Sequence, residues 1–374
     1  MSQVLVSRRE LLKILAATAG ATALANVPTQ WKTPVIEIGA LPAHAQFTRR
    51  SAPFAYVSHS GSNDVYVIDL RTNTVLAPVK IGLATAPGSG SWLKNLNVNA
   101  PIPVGGGACG VAVNPLGTRV YIANTGANTI SVIDTATNTV VATVNVGAGP
   151  RGAAVTPDGT RVYVTNWNTT TVSVINAATN TVVTTVTVGN SPTGVVVNPA
   201  GTRVYVTNRN DGTFSVIDTA TNTVVGAPVA VGAVPTGVAI NPAGTFVYVT
   251  NMGSGTVSVI DTATNTVVGA PIAVGNSPLG VAINPAGTRA YVANYGAATV
   301  SVINTATNTV LAGVNVGGSP VGVGVTPDGT RVYVANEGSN NVSVIDTTTN
   351  TVVATINVGT NPEAFGKFIG LIPV

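Results

Sequence analysis

Short hydrophobic runs separated by polar turns recur along most of the chain. The stretch 193–231 contains four of them, at 194–197, 203–208, 213–218 and 223–231. The runs are rich in Val, Thr and Tyr, which favour extended backbone, and they are shorter than typical helices. The turns between them contain Pro, Gly, Asn and Asp, which suit tight reversals. The pattern predicts four β-strands per unit, which we call A, B, C and D.

The unit repeats with a period near 42 residues. The tetrad Tyr-Val-Thr-Asn, or a near copy, begins at Tyr121, Tyr163, Tyr205, Tyr248, Tyr291 and Tyr333. A seventh, degenerate copy begins at Tyr56, and the larger spacing to Tyr121 predicts an insertion over 83–106 between blades 1 and 2. Because four short strands per 42 residues are typical of a propeller blade, we predict an all-β, seven-bladed β-propeller with four-stranded antiparallel blades.

The two ends of the repeat array predict how the ring closes. The first copy has strands B, C and D but no strand A before it. Residues 362–369 stand after the last strand D, where the other repeats have Pro-x-Gly-Val-x-Val. We therefore expect the C-terminal strand to pair into the first blade and close the ring, which leaves no open sheet edge in the channel.

The composition agrees with sheets that are covered on both faces. Charged residues make up 8% of the chain, hydrophobic residues 45%, and the mean hydropathy is +0.40. These values exclude a disordered chain and a long charged coiled coil. Cys109 is the one cysteine, so the chain can form no internal disulfide and no cysteine-based zinc site.

The N-terminal segment has the layout of an export signal. Arg8 and Arg9 stand in Ser-Arg-Arg-Glu-Leu-Leu-Lys, followed by a weakly apolar stretch rich in Ala and Thr. This segment resembles a twin-arginine signal, with Leu11 in place of the usual Phe. We expect 1–45 to be the signal and leader, with cleavage after Ala45 (Ala25 is the alternative), and 46–374 to be the propeller. The resemblance implies export by the twin-arginine translocase to the periplasm, the cell surface or the exterior.

The repeats resemble the YVTN β-propeller family, which includes YncE-like and archaeal surface-layer propellers. The resemblance covers 53–370, and its tetrads begin at Tyr163, Tyr205 and Tyr248. Members of this family do unrelated things, so the shared residues indicate blades, not a site. DNA binding, known among YncE-like relatives, is disfavoured because 46–374 contains 13 basic and 11 acidic residues.

The two ends of a four-stranded blade carry different kinds of residue. At the end with the A–B and C–D turns the repeats agree, and we interpret Asp134, Asp218, Asp261 and Asp346 there as turn caps. At the other end, with the B–C and D–A loops, the repeats diverge. The residues that we predict to form a ligand-binding or partner-binding surface there are Trp92, Arg151, Trp167, Arg209, Asp211, Tyr295, Glu337 and Glu363. The alternative is drift of exposed loop residues.

The sequence contains few groups that catalysis or metal binding would need. The propeller has one histidine, His59, and no His-Glu-x-x-His or paired-cysteine motif, so we predict no metal site and no cofactor. The sequence leaves open one alternative, a Ca²⁺ or Mg²⁺ ion bound by Asp211 and loop carbonyls. We interpret Cys109 as a small buried residue and not as a reactive thiol.

Two functions follow from this pattern. The first is a non-enzymatic, exported binding or scaffold propeller that contacts a protein, a glycan or a small molecule through the variable loop face. The alternative is an exported propeller enzyme, a lactonase-like hydrolase or an oxidoreductase, in which Glu337, Glu363 and Arg151 line the central channel.

Overall fold

The computed structural model describes residues 51–76 and 101–373, and these form the predicted propeller. Seven sheets surround a central channel, and the innermost strands of successive blades contact one another. In these residues there are 32 strands and one 3₁₀ turn, Glu337–Ser339, and no helix is long and apolar enough to cross a membrane. The predicted fold class is therefore confirmed.

The strands fall into seven blades. Blade 1 contains β1 (Ser51–His59), β2 (Asp64–Asp69), β3 (Thr74–Val75), β4 (Ile102–Pro103) and β32 (Ile369–Pro373); blade 2 contains β5 (Ala108–Val113), β6 (Arg119–Asn124), β7 (Thr129–Asp134) and β8 (Thr139–Asn145), with β31 (Phe365–Lys367) beside β5; blade 3 contains β9 (Pro150–Val155), β10 (Arg161–Asn166), β11 (Thr171–Asn176) and β12 (Thr181–Thr187). Blade 4 contains β13 (Pro192–Val197), β14 (Arg203–Asn208), β15 (Thr213–Asp218), β16 (Thr223–Val224) and β17 (Val229–Ala230); blade 5 contains β18 (Pro235–Ile240), β19 (Phe246–Asn251), β20 (Thr256–Asp261), β21 (Thr266–Val267) and β22 (Ile272–Ala273); blade 6 contains β23 (Pro278–Ile283), β24 (Arg289–Asn294), β25 (Thr299–Asn304) and β26 (Thr309–Asn315); blade 7 contains β27 (Pro320–Val325), β28 (Arg331–Asn336), β29 (Asn341–Asp346) and β30 (Thr351–Asn357).

The ring closes through the C-terminal strand, as expected, but with a different register. Strand β32 pairs antiparallel with β1, with Ile369 opposite Ala55, and so becomes the innermost strand of blade 1. Pro362 forms an isolated β-bridge with His59, so Pro362 occupies the position that the strand-A proline has in the other blades. Two more residues than usual separate this proline from the paired strand, so 362–369 is not one continuous strand. The extra length allows β31 to leave blade 1 and pair in parallel with β5 inside the channel.

Strand D of blade 1 is interrupted. Strands β3 and β4 both pair with β2, so Ile102–Pro103 belongs to blade 1 although it lies inside the predicted insertion 83–106. Residues 77–100, which include most of that insertion, lie outside the described residues. Blades 4 and 5 have a shorter interruption at the same place, around Gly226 and Gly269. The described residues that flank the insertion therefore lie within the outermost strand of blade 1, and not in a D–A loop.

The tetrad residues are structural. Its tyrosines are buried, and four of them donate to an asparagine of the next blade, as Tyr163 Oη does to Asn222 Oδ1 at 2.8 Å. The buried Thr207 hydroxyl donates to the Thr236 carbonyl of the next blade at 2.8 Å and accepts the Gly194 N–H of its own blade. These contacts join neighbouring blades through groups that burial would otherwise leave unpaired.

Glycine allows the innermost strands to approach closely. A Cβ added at Gly194 would lie 2.3 Å from the Thr236 carbonyl oxygen, and one at Gly152 would lie 2.5 Å from that of Thr193. Equivalent contacts recur at Gly110, Gly237, Gly280 and Gly322. The glycine of Pro-x-Gly is therefore required by blade-to-blade packing round the channel.

The shared turns at the A–B and C–D end confirm the interpretation of their aspartates. Asp134 Oδ1 accepts the N–H groups of Ala136 and Thr137, and its other oxygen pairs with Arg119. These hydrogen bonds and the Arg119 charge hold the pKa of Asp134 below its usual value against the opposing effect of burial. The repeated aspartates at this end are turn caps.

Candidate functional site

The variable loops surround one opening of the channel, which we call the mouth. The residue after each tetrad is half-buried there: Ser60, Thr125, Trp167, Arg209, Met252, Tyr295 and Glu337. The backbone fixes these positions, because each N–H donates to the D–A loop before it, as Trp167 does to the Gly149 carbonyl at 2.8 Å. One side chain per blade is thus directed by the same backbone geometry toward the mouth, whatever its chemistry.

Phe365 forms the floor of the mouth. Strand β31 places it opposite Gly110 inside the channel, where it is 5% exposed and packs with Cys109, Leu279 and Val321. Met252 and Tyr295 pack against the same cluster. Beside Phe365 a void of about 30 Å³ is left between the innermost strands, which is room for about one water molecule. Phe365 therefore gives the mouth an apolar floor at the level of the first residues of the innermost strands.

Two arginines flank the Trp167 ring on one side of the mouth. The Arg151 guanidinium carbon lies 5.3 Å from the ring centroid, and that of Arg209 lies 5.8 Å from it. Both distances allow cation–π attraction. Burial, together with the charge of Arg151, lowers the pKa of Arg209. Two like charges are thus held close to the same ring, an arrangement that a bound anion would favour.

Two donors in this part of the mouth lack a partner in the described structure. Arg151 Nε and Trp167 Nε1 are buried, and neither donates a hydrogen bond to any described residue. An unpaired buried donor costs folding free energy, on the order of 1–3 kcal/mol. Such donors are candidates for binding an acceptor group from outside the chain.

Two carboxylates occupy the other side of the mouth. Burial and the charge of Glu363 raise the pKa of Glu337, while a hydrogen bond from Tyr295 opposes the rise. Burial, and next the charge of Glu363, raise the pKa of the Cys109 thiol, which is 2% exposed. Cys109 is therefore a buried protonated thiol, in agreement with its sequence interpretation, and a poor nucleophile.

The two charged sides of the mouth do not neutralise each other directly. The charges of Glu363 and Glu337 act on the Arg151 guanidinium. Among the ion pairs formed by the described residues, however, none includes Arg151, Arg209, Glu337 or Glu363, so their charged atoms lie more than 4.0 Å apart. In this part of the chain no three metal-ligating side chains come together.

The structure thus brings together six of the eight predicted surface residues: Arg151, Trp167, Arg209, Tyr295, Glu337 and Glu363. Asp211 lies apart from them on an exposed B–C loop, where it accepts two hydrogen bonds from Asn190. Trp92 lies outside the described residues, as do Arg8, Arg9 and Ala45. Phe365 was missed at the sequence level; its signal was the extra length after Pro362.

Two family profiles match parts of the chain. The YNCE-like beta-propeller profile matches residues 97–201, and the profile for lactonase, 7-bladed beta-propeller, matches residues 176–274. Both families are propellers, and both matches fall on blades that the structure contains. The predicted resemblance to YncE-like propellers is confirmed.

Solved structures share the fold. A chain of Kuenenia stuttgartiensis hydrazine synthase is 23% identical with a TM-score of 0.64, over 72% of this chain and 96% of that chain. A functionally unknown protein from Desulfotomaculum acetoxidans DSM 771 is 15% identical with a TM-score of 0.69, over 85% of this chain and 98% of that chain. No protein of curated function matches the sequence. At these identities the likeness shows the fold alone.

Proposed function

We propose that this YncE-like, seven-bladed β-propeller is a non-enzymatic binding protein that holds a ligand or partner at its mouth. The observation that carries the proposal is the convergence of Trp167, two arginines and two glutamates over the apolar Phe365 floor. Rigid aromatic groups combined with oriented charge are what recognition sites use. The divergence of this end, against the uniform turns of the opposite end, agrees with such a role.

The pocket is suited to binding more than to passage through the ring. Phe365 occupies the channel below the mouth and leaves about 30 Å³ of space beside it. A ligand that enters from this face therefore meets a floor within the first residues of the innermost strands. Its contacts are then with the mouth residues themselves, which are half-buried and held by backbone hydrogen bonds.

The test is native mass spectrometry of the protein after gentle purification, followed by binding measurements on variants. We expect a molecule that co-purifies with the wild-type protein and is lost from Trp167→Ala. Leu116→Ala is the matched control, because Leu116 is a 72% exposed apolar residue at the A–B turn of blade 2. Equal retention by Trp167→Ala and the control, or a wild-type protein that binds nothing from envelope extracts, would contradict the proposal.

The proposal includes export through the twin-arginine translocase. It is supported by Arg8 and Arg9 in their Ser-Arg-Arg context and by the apolar stretch that follows. Replacing both arginines by lysine keeps the charge, and we expect the precursor to accumulate in the cytoplasm. N-terminal sequencing of the exported wild-type protein should show cleavage after Ala45. Unchanged export of the double variant would contradict this part of the proposal.

A second candidate is an exported hydrolase or oxidoreductase that acts at the mouth. The observation that favours it is the raised pKa of Glu337 beside Glu363, because carboxyl pairs of this kind serve general acid–base catalysis. Alanine at Glu337, Glu363 and Arg151 should then abolish turnover of a lactone or redox substrate without unfolding the ring. Turnover that survives the triple substitution would exclude this candidate.

A further inference from the structure

We propose that the mouth binds a small zwitterionic molecule, with a carboxylate or similar anionic group at one end and an ammonium group at the other. This inference rests on the proposed binding function and names the class of its ligand. The two charged sides of the mouth form no ion pair with each other. The basic side has donors without an acceptor and the acidic side has carboxylates without a cation, and one end of such a molecule would supply each.

The basic side requires an acceptor. Arg151 Nε and Trp167 Nε1 are buried donors without a described partner, and the guanidinium groups of Arg151 and Arg209 flank the same ring. A carboxylate accepts from both types of donor, and its charge would favour the charged form of Arg209, whose pKa is lowered by burial and, next, by the charge of Arg151. A neutral acceptor would satisfy the donors but would add no negative charge beside Arg209, which forms no ion pair with a described residue.

The acidic side requires a cation. Burial and, next, the charge of Glu363 disfavour the charged form of Glu337 and raise its pKa. The Tyr295 side chain and the charge of Arg151 lower the pKa of Glu337, but no lysine or arginine among the described residues forms an ion pair with either carboxylate. An ammonium group, with three donors, would serve both carboxylates at once.

The floor between the two sides favours a short hydrocarbon link. Phe365, Leu279 and Val321 are buried there, with Met252 packed against them. These side chains offer no hydrogen bonds, so the middle of the ligand should be apolar. The ion pairs of the described residues include none between the arginines and the glutamates of the mouth, so their charged atoms lie more than 4.0 Å apart. The two ends of the ligand must therefore span a gap that one contact cannot close.

The experiment compares ligands that differ only in their charged ends. Isothermal titration of the whole protein would use glycine, β-alanine, 4-aminobutanoate and 6-aminohexanoate, with butanoate and butylamine as single-ended controls. One double-ended compound should bind at least about tenfold more tightly than both single-ended compounds, since each end adds a charge-assisted hydrogen bond. The preferred chain length then measures the span of the mouth.

Variants assign each end to its side. Arg151→Gln should reduce the advantage conferred by the carboxylate, and Glu337→Gln with Glu363→Gln the advantage conferred by the ammonium. Asp211→Asn is the matched control, because it removes an exposed carboxylate on the same face that is bound to Asn190. If Arg151→Gln lowers the melting temperature, the half-buried Arg209→Gln replaces it.

The outcomes separate this inference from the proposed function. Equal binding of butanoate and 4-aminobutanoate would overturn the zwitterion while leaving a binding mouth. Absence of binding by every compound would also overturn it, and the native mass spectrometry of Trp167→Ala would still decide the binding function. A tenfold preference that Asp211→Asn also abolishes would place the site elsewhere and refute the assignment.

Discussion

His59 should make the stability of the ring depend on pH, and replacing it with asparagine should remove that dependence. The other six blades have asparagine at this position: Asn124, Asn166, Asn208, Asn251, Asn294 and Asn336. His59 is completely buried, with Nδ1 3.1 Å from an Asp64 carboxylate oxygen and Nε2 without a partner among the described residues. Burial lowers its pKa to about 4 from an ordinary 6.5, although the Asp64 carboxylate opposes the shift.

The sign and size of the effect follow from this pKa. Below pH 6.5 the unfolded chain binds a proton at His59 that the folded chain does not accept until about pH 4. The free energy of unfolding therefore decreases as pH falls from about 6.5 to about 4, and His59 causes no further decrease below pH 4. At about 1.4 kcal/mol per pH unit, the contribution is roughly 3 kcal/mol. His59→Asn should remove it, and the new amide oxygen would resemble that of Asn208, which accepts the Gly189 N–H at 3.1 Å.

The assay is urea unfolding of the wild-type protein and His59→Asn at pH 7, 6, 5 and 4. All aspartates and glutamates are common to both chains, so the difference between the two stability profiles isolates residue 59. We expect the profiles to run parallel above pH 6.5 and to diverge below it, in favour of the variant. Asp64→Asn should extend the wild-type loss to lower pH, because it removes the charge that opposes the lowering of the His59 pKa. Profiles that stay parallel down to pH 4 would refute the reasoning.

Three further predictions concern contacts between and within the blades. Thr207→Ala should lower stability by about 1–2 kcal/mol, because it unpairs the buried Thr236 carbonyl and Gly194 N–H; Thr207→Ser, which keeps the hydroxyl, should behave like wild type in thermal unfolding. Truncation after Asn361 removes β31 and β32 and should expose the edge of β1, so limited proteolysis should cut blade 1 first, whereas loss of Val374 alone should have no effect. Phe246→Arg should pair with Asp261 as Arg119 does with Asp134, and a small rise in melting temperature that high salt abolishes would show it.

The ring and the face that carries the mouth were predictable because the repeat fixes the positions of its own strands and loops. Each tetrad marks strand B, and an antiparallel meander alternates its loops between two ends, so Trp167, Arg209 and Glu337 had to share one face. Because the seven blades form a ring, these loop ends also surround one opening of the channel. The stacking of Arg151 and Arg209 on Trp167 did not follow, since it depends on rotamers packed between neighbouring blades.

The floor of the mouth lay beyond sequence reasoning for a different reason. Residues 362–369 read as one strand A, and only pairing partners show that two extra residues detach β31 from it. Gly366 permits the detour, with φ of +112°, and a Cβ there would lie 2.7 Å from the Val111 carbonyl oxygen. Counting the repeats predicts that the C-terminus supplies the missing strand of blade 1, but it does not predict that β31 pairs with β5 before that strand begins.

Because β1 pairs with β32, blade 1 can be completed only at the end of synthesis. Strand β1 leaves the ribosome before any other strand of the ring, yet its inner neighbour is translated after all seven tetrads. Until then the buried residues of β1, Phe54 and Ala55 among them, have no strand on their channel side. Blades 2 to 7 can assemble as they emerge, whereas blade 1 must wait. The ring can therefore close only after the whole chain has been translated, because a chain that stops early lacks the strand that completes blade 1.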